Sequence, residues 1–196
     1  RFATVLPLGG YDVTVEPAEG TGFGKLTRPL DVSGEVAPTF EPPRKTNAVG
    51  RAVLGDGRPL VDALVLATPS SAGDEPLSSL PRPARARTTV DGRFALELDQ
   101  GAYEISVVPQ EGSGFPRVVV LTSVGGERAE LPVVEVPPPT RLSFTVKDPS
   151  SIGIPITQAI VRIFAEPPGG GPSVEIGRAV TDGKGACEIL LAQQPR

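Results

Sequence analysis

The chain has 196 residues, with 23 Gly, 23 Pro, one Cys, no His, Met or Trp, and a net charge of -4. Without His there is no Ser-His-Asp triad, Cys-His dyad or HExxH zinc site, and a single Cys makes neither an internal disulfide nor a Cys-based zinc site. Without Met, the chain is expected to be a processed or excerpted piece of something longer.

The chain carries 19 basic and 23 acidic residues with no Lys/Arg-rich run. That disfavours a nucleic-acid partner and a polybasic membrane anchor, and neither is expected. No apolar run is long enough to span a bilayer, so direct membrane insertion is not expected. Aromatics are 5% of residues, so the core is built from Val, Leu, Ile and Ala.

In chain order, residues 1–27 come first, and they return at 93–119 with no gap and twelve identities, among them Phe2/Phe94, Tyr11/Tyr103, Glu19/Glu111 and Phe23/Phe115. Residues 48–68 resemble 142–165, and both continue through a Pro-rich loop to a turn, Thr89-Val90-Asp91-Gly92 or Thr181-Asp182-Gly183. Three tandem copies follow: 1–42, the C-terminal part of a module; 45–137, a whole module; and 139–196, the N-terminal part of a module. Proline runs at Pro42-Pro43 and Pro137-Pro138-Pro139 stiffen the junctions.

Within the whole module, seven strands are predicted at 47–54, 60–67, 84–90, 93–98, 102–108, 116–122 and 127–135. Phe94, Leu96 and Leu98 alternate, as do Tyr103, Ile105 and Val107, which places each set on one buried face. Asp91-Gly92 predicts a hairpin between the strands that flank it. No stretch free of Pro and Gly has a 3.6-residue period. The fold class is all-β: tandem Greek-key β-sandwich modules of about seven strands with near-zero helix. Tyr11 and Tyr103 each open a strand after a Gly turn, where a buried ring can bond its hydroxyl to backbone.

Gly55-x-Gly57-x-Pro59-x-x-x-Ala63-x-Val65, Thr89-x-Asp91-Gly92-x-Phe94-x-Leu96-x-Leu98 and Gly101-x-Tyr103-x-Ile105-x-Val107 resemble the carboxypeptidase regulatory-like domain. That family belongs with transthyretin-like and Cna-B-like sandwiches. The resemblance covers essentially the full chain and implies fold more than function. It implies tandem stalks of secreted and surface bacterial proteins, or accessory domains of peptidases and outer-membrane receptors, with no shared catalytic residues. Cys187 stands where Phe94 does. Some Cna-B-like modules carry a Lys–Asn/Asp crosslink, but Lys45 and Lys147 have no visible partner and none is expected.

Candidate sites are few. Asp56, Asp91, Asp148 and Asp182 read as turn carboxylates, since calcium needs roughly six to eight oxygens and no DxDxDG-type cluster occurs. Asp91, Gly92, Asp182 and Gly183 are therefore structural, as are Phe2, Phe94, Tyr11 and Tyr103. Cys187 reads as a small core residue. The repeated loops 17–23 and 109–115 carry Glu19, Phe23, Glu111 and Phe115 as candidate binding residues. The insert 68–83, with Asp74 and Glu75, is the best place for a partner contact.

No cofactor, metal or catalytic residue is expected. The expected role is a non-catalytic stalk, spacer or fibre segment of an exported bacterial surface protein, extracellular or outer-membrane associated. Its partners would be neighbouring copies of the same module or chain. One alternative is a filament subunit that assembles by strand exchange between part-modules. Another is a polysaccharide- or protein-binding accessory module of a larger peptidase or outer-membrane protein.

Overall fold

The computed structural model describes residues 4–70, 80–149, 153–166 and 173–192, and has no helix among them. Phe2, Asp74 and Glu75 lie outside the described residues. The protein is all-β, and fourteen strands occur among the described residues.

The first strands, β1 (Gly9–Val15) and β2 (Leu26–Val32), form an antiparallel pair. The middle of the chain holds eight: β3 (Thr46–Leu54), β4 (Leu64–Pro69), β5 (Ala84–Arg87), β6 (Arg93–Leu98), β7 (Gly101–Val108), β8 (Val118–Val124), β9 (Arg128–Glu130) and β10 (Val134–Val136). One sheet has β3 between antiparallel β6 and parallel β9 and β10, and the other runs β5-β4-β7-β8, all antiparallel. The final strands are β11 (Pro139–Thr145), β12 (Ile160–Ala165), β13 (Val174–Val180) and β14 (Ala186–Ala192). They form two antiparallel pairs, β11 with β14 and β12 with β13.

Alternation explains the middle core. Phe94, Leu96 and Leu98 of β6 face Tyr103, Ile105 and Val107 of β7 across the two sheets, and all six are buried. Burying each such side chain contributes about 1.5–3 kcal/mol. The residues between them take the opposite face, as a period of two requires: Ala95 and Glu97 are exposed, Glu104 is half-buried and Ser106 is buried.

Two sequence expectations are corrected. The expected strand at 127–135 is two short strands, β9 and β10, on the same side of β3. Pro132 lies between them and has no N–H to give a ladder, although Leu131 N still donates to Val49 O at 2.8 Å. Asp91-Gly92 does not close a hairpin, because β5 pairs with β4 whereas β6 pairs with β3. The turn itself forms, with Gly92 N donating to Thr89 O at 2.9 Å and Thr89 N to Arg93 O at 2.8 Å, and it carries the chain from one sheet to the other.

The last four strands repeat this local chemistry. Thr88 Oγ1 accepts from Ala63 N, and Thr181 Oγ1 accepts from Ala159 N, each at 2.8 Å. The residue before each of those alanines has a left-handed backbone, Asp62 at φ 54° and Gln158 at φ 58°. Gly92 and Gly185 then occupy matching places, at φ 77° and 72°, with Ala52 O and Val146 O only 2.4 and 2.6 Å from where a Cβ would stand. The residue in the place of Gly92 is thus Gly185 and not Gly183. Gly92→Ala combines a positive φ with a backbone clash and is expected to cost more than about 1 kcal/mol. The urea midpoint measures it.

Candidate functional site

The middle strands meet the first strands through one charged group. Asp99 follows β6 and is 2% exposed. Its carboxylate accepts from Arg82 Nε at 2.9 Å, Arg82 Nη2 at 2.8 Å, Arg82 N at 3.0 Å and Lys25 N at 3.1 Å. Arg82 sits between Pro81 and Pro83, so its approach to β5 is stiff. The guanidinium also reaches the first segment, donating to Pro17 O at 2.7 Å and Phe23 O at 3.0 Å. Lys25 Nζ returns a bond to Leu80 O at 2.9 Å.

The electrostatics follow from this cage. Burial pushes the Asp99 carboxyl up, but the donors from Arg82 and Lys25 outweigh it and hold it below the ordinary Asp value. Its hydrogen bond to Asp99 raises Arg82 further. Tyr103 is fully buried and donates to Arg82 O at 3.2 Å, and burial raises its phenol. Tyr103→Phe removes that one bond and is expected to cost about 1 kcal/mol in a denaturant titration.

A second joint lies between β8 and the last strands. Arg117 precedes β8 and bonds Ser106 Oγ and, at 3.2 Å, Glu104 Oε1. Its other nitrogen pairs with Glu175 of β13 at 3.8 Å, and Arg117 forms a parallel bridge with Leu191 of β14. Glu175 also pairs with Arg162 at 3.7 Å and Arg178 at 3.4 Å.

The two joints lie at neighbouring places of the sequence repeat. Lys25 and Arg117 are matched by the 92-residue repeat, and each meets the end of the strand that follows the Gly92 or Gly185 turn. The Gly92/Gly185 match puts Leu191 in the place of Leu98, one residue before the place of Asp99, and the contact there is a backbone bridge instead of a bond to a carboxylate. The chemistry differs: an internally neutralised Arg82 grips carbonyls at the first joint, and Glu175 takes the preceding cation at the second.

The sequence-singled residues fall as follows. Glu19 is exposed, and Phe23 is 41% exposed with the Arg44 guanidinium 5.7 Å from its ring centre. Its repeat, Phe115, instead packs on the middle core. Glu111 is exposed in a shallow groove with Asp62, Arg87, Gln110 and Leu64, where Asp62 accepts from Gln110 Nε2 at 2.6 Å. The structure does not bring Glu19 and Glu111 together. Tyr11 is half-buried and donates to Pro7 O at 2.8 Å. Phe94 is buried across from Gly50.

Asp91 and Asp182 are exposed. The Thr89 hydroxyl lowers the first carboxyl, and the N–H groups of Ala186 and Lys184 lower the second. Gly183 lies in the same exposed turn. Cys187 is half-buried in β14. No cluster of three or more His, Cys, Asp or Glu able to hold a metal occurs among the described residues.

Sequence reasoning missed Arg82, Asp99, Arg117 and Glu175. One signal was present: Asp99 ends the alternating run of β6, at the place where the first copy has Pro7.

No family model matches the chain, and no curated protein matches it. Among solved structures, a streptococcal ancillary pilin is similar over 95% of this chain and 64% of its own, at 14% identity and a TM-score of 0.37. The TIE protein of Bacillus anthracis is similar over 86% and 30%, at 18% identity and a TM-score of 0.35. A 9R-lipoxygenase from Cyanothece PCC8801 is similar over 60% and 20%, at 14% identity and a TM-score of 0.35. The chain spans less than two thirds of each of these structures. The likenesses are distant, and no role passes from them to this chain.

Proposed function

We propose that the chain is a non-catalytic spacer, a section of an exported bacterial surface protein built from tandem modules of the carboxypeptidase regulatory-like kind. The observation that carries this reading is that Lys25 and Arg117, matched by the 92-residue repeat, each meet the end of the strand that follows the next Gly turn. Each joint ties the start of one module's last hairpin strand to the end of a strand in the next module. Such a contact is head-to-tail and propagates in one direction. The buried Arg82–Asp99 cage and the prolines beside it resist bending at the first joint, which suits a part that holds a distal element away from a surface.

Small-angle scattering tests the reading. The expected result is an elongated particle whose maximum dimension grows by one step for each module added. A compact globule of the same mass overturns it.

A further inference from the structure

The two joints differ in what crosses them. At the first, the middle module supplies a buried ion pair of its own. Arg82 bonds Asp99 and extends both Nη atoms to carbonyls of the first segment, while Lys25 N bonds Asp99 and Lys25 Nζ bonds Leu80 O. The connecting segment is laced down as well, with Gly24 N donating to Pro43 O at 2.7 Å and Lys45 N to Gly22 O at 2.9 Å. The 92-residue repeat puts Pro116 in the place of Gly24, and proline has no N–H to give such a bond. The Gly92/Gly185 match puts Ala192 in the place of Asp99. It puts Glu175 in the place of Arg82, and across the β-bulge at Ile163/Phe164 the strand register offers Val174 instead; neither carries a guanidinium. All four counterparts lie among the described residues, so the difference between the joints does not depend on where the chain stops.

What holds the second joint is a backbone bridge, Arg117 with Leu191, and one charge contact, Arg117 to Glu175 at 3.8 Å. That separation is beyond a hydrogen bond. Each charge also has partners on its own side. Arg117 bonds Ser106 and Glu104, and Glu175 pairs with Arg162 and Arg178. Parting the two therefore strands no buried charge. We propose that the second joint is the bending point of the chain, held closed by the Arg117–Glu175 attraction at low ionic strength and released as salt screens it, while the first joint stays fixed. The Arg117–Leu191 bridge serves as the pivot. The screening length falls from about 10 Å at 0.1 M salt to about 3 Å at 1 M, shorter than the Arg117–Glu175 separation. Both side chains are partly exposed, at 27% and 19%, so ions reach them. The first joint is held by short bonds to carbonyls and to a carboxylate buried at 2% exposure, where salt screens little. Pro137 and Pro138 set the spacing across the second joint but offer no N–H to tie either module down.

The proposal deepens the spacer reading and rests on it for the use of a single hinge. The test is distance measurement between paired spin labels by double electron–electron resonance on the full chain, in a Cys187→Ala background. Asp12→Cys with Ala95→Cys spans the first joint, and Ala95→Cys with Thr145→Cys spans the second, all at exposed strand positions. Between about 0.1 M and about 1 M sodium chloride, the expected result is a distribution broadened about twofold or more across the second joint and unchanged across the first. Glu175→Gln, nearly isosteric and uncharged, should give the broad distribution already at low salt and abolish its response to salt. Far-UV circular dichroism and the urea midpoint check that each variant is folded. A second joint that stays narrow at high salt, broadening at both joints together, or a Glu175→Gln chain that still responds to salt overturns the proposal. Those failures leave the spacer reading standing when scattering shows an elongated particle, and a compact particle removes that reading whatever the labels report.

Discussion

Asp99→Ala is expected to lower the unfolding free energy by about 3–5 kcal/mol, the range for removing one partner from a buried ion pair. The carboxylate is 2% exposed and accepts four N–H donors, two of them backbone. Without it, the Arg82 guanidinium, 16% exposed as a side chain, keeps only the carbonyls of Pro17 and Phe23. The charge then loses its paired counterion and keeps only the more distant field of Glu16, and Lys25 N loses its acceptor. Urea unfolding followed by circular dichroism measures the loss.

A second readout isolates the charge. The folded carboxyl titrates below its unfolded value of about 3.9. Its stabilisation is therefore fully present above that value and is lost as pH falls through the lower folded one. Wild-type stability should drop steeply on the acid side of about pH 4, and Asp99→Asn should flatten that limb. An unchanged acid limb would show that Asp99 is not the group responsible.

Gly50→Phe is expected to destabilise the middle module severely on its own, and Phe94→Cys in the same chain is expected to recover most of the loss. The Phe94 ring fills the space above Gly50 so closely that a Cβ there would stand 2.4 Å from Cζ. The last strands solve the same cross-strand problem in reverse, with Phe144 of β11 opposite Cys187 of β14. The large and small members of the pair have changed strands. Forcing a second large ring onto Phe94 overpacks the core by about 1–3 kcal/mol or more, and Phe94→Cys alone leaves a cavity costing about 3 kcal/mol. A double-mutant cycle should return a coupling of about 2 kcal/mol or more. Additive losses in denaturant titrations would show that the two sites relax independently.

This exchange explains what the sequence displayed without its reason. Cys187 in the place of Phe94 looked like a departure from the repeat, and the compensation lay on the partner strand, forty-odd positions away. Alternation made β6 and β7 legible, because each strand's burial follows from its own residues. The hairpin reading of Asp91-Gly92 failed because a turn's local chemistry is the same whether the next strand returns to its neighbour or crosses to the other sheet. Pairing by β3, β4 and Gly92 decides that, and those contacts are long-range. The joints were illegible for a related reason. Arg82 and Asp99 are unremarkable charges in the linear chain, and only the apposition of two repeats buries them.

Each repeat carries one half of the joint at either end: the residue before its last hairpin strand, and the end of the strand after its Gly turn. Copying a repeat therefore copies both halves of the contact with it. A gene that duplicates one unit lengthens its product by a fixed increment and needs no new interface to do so.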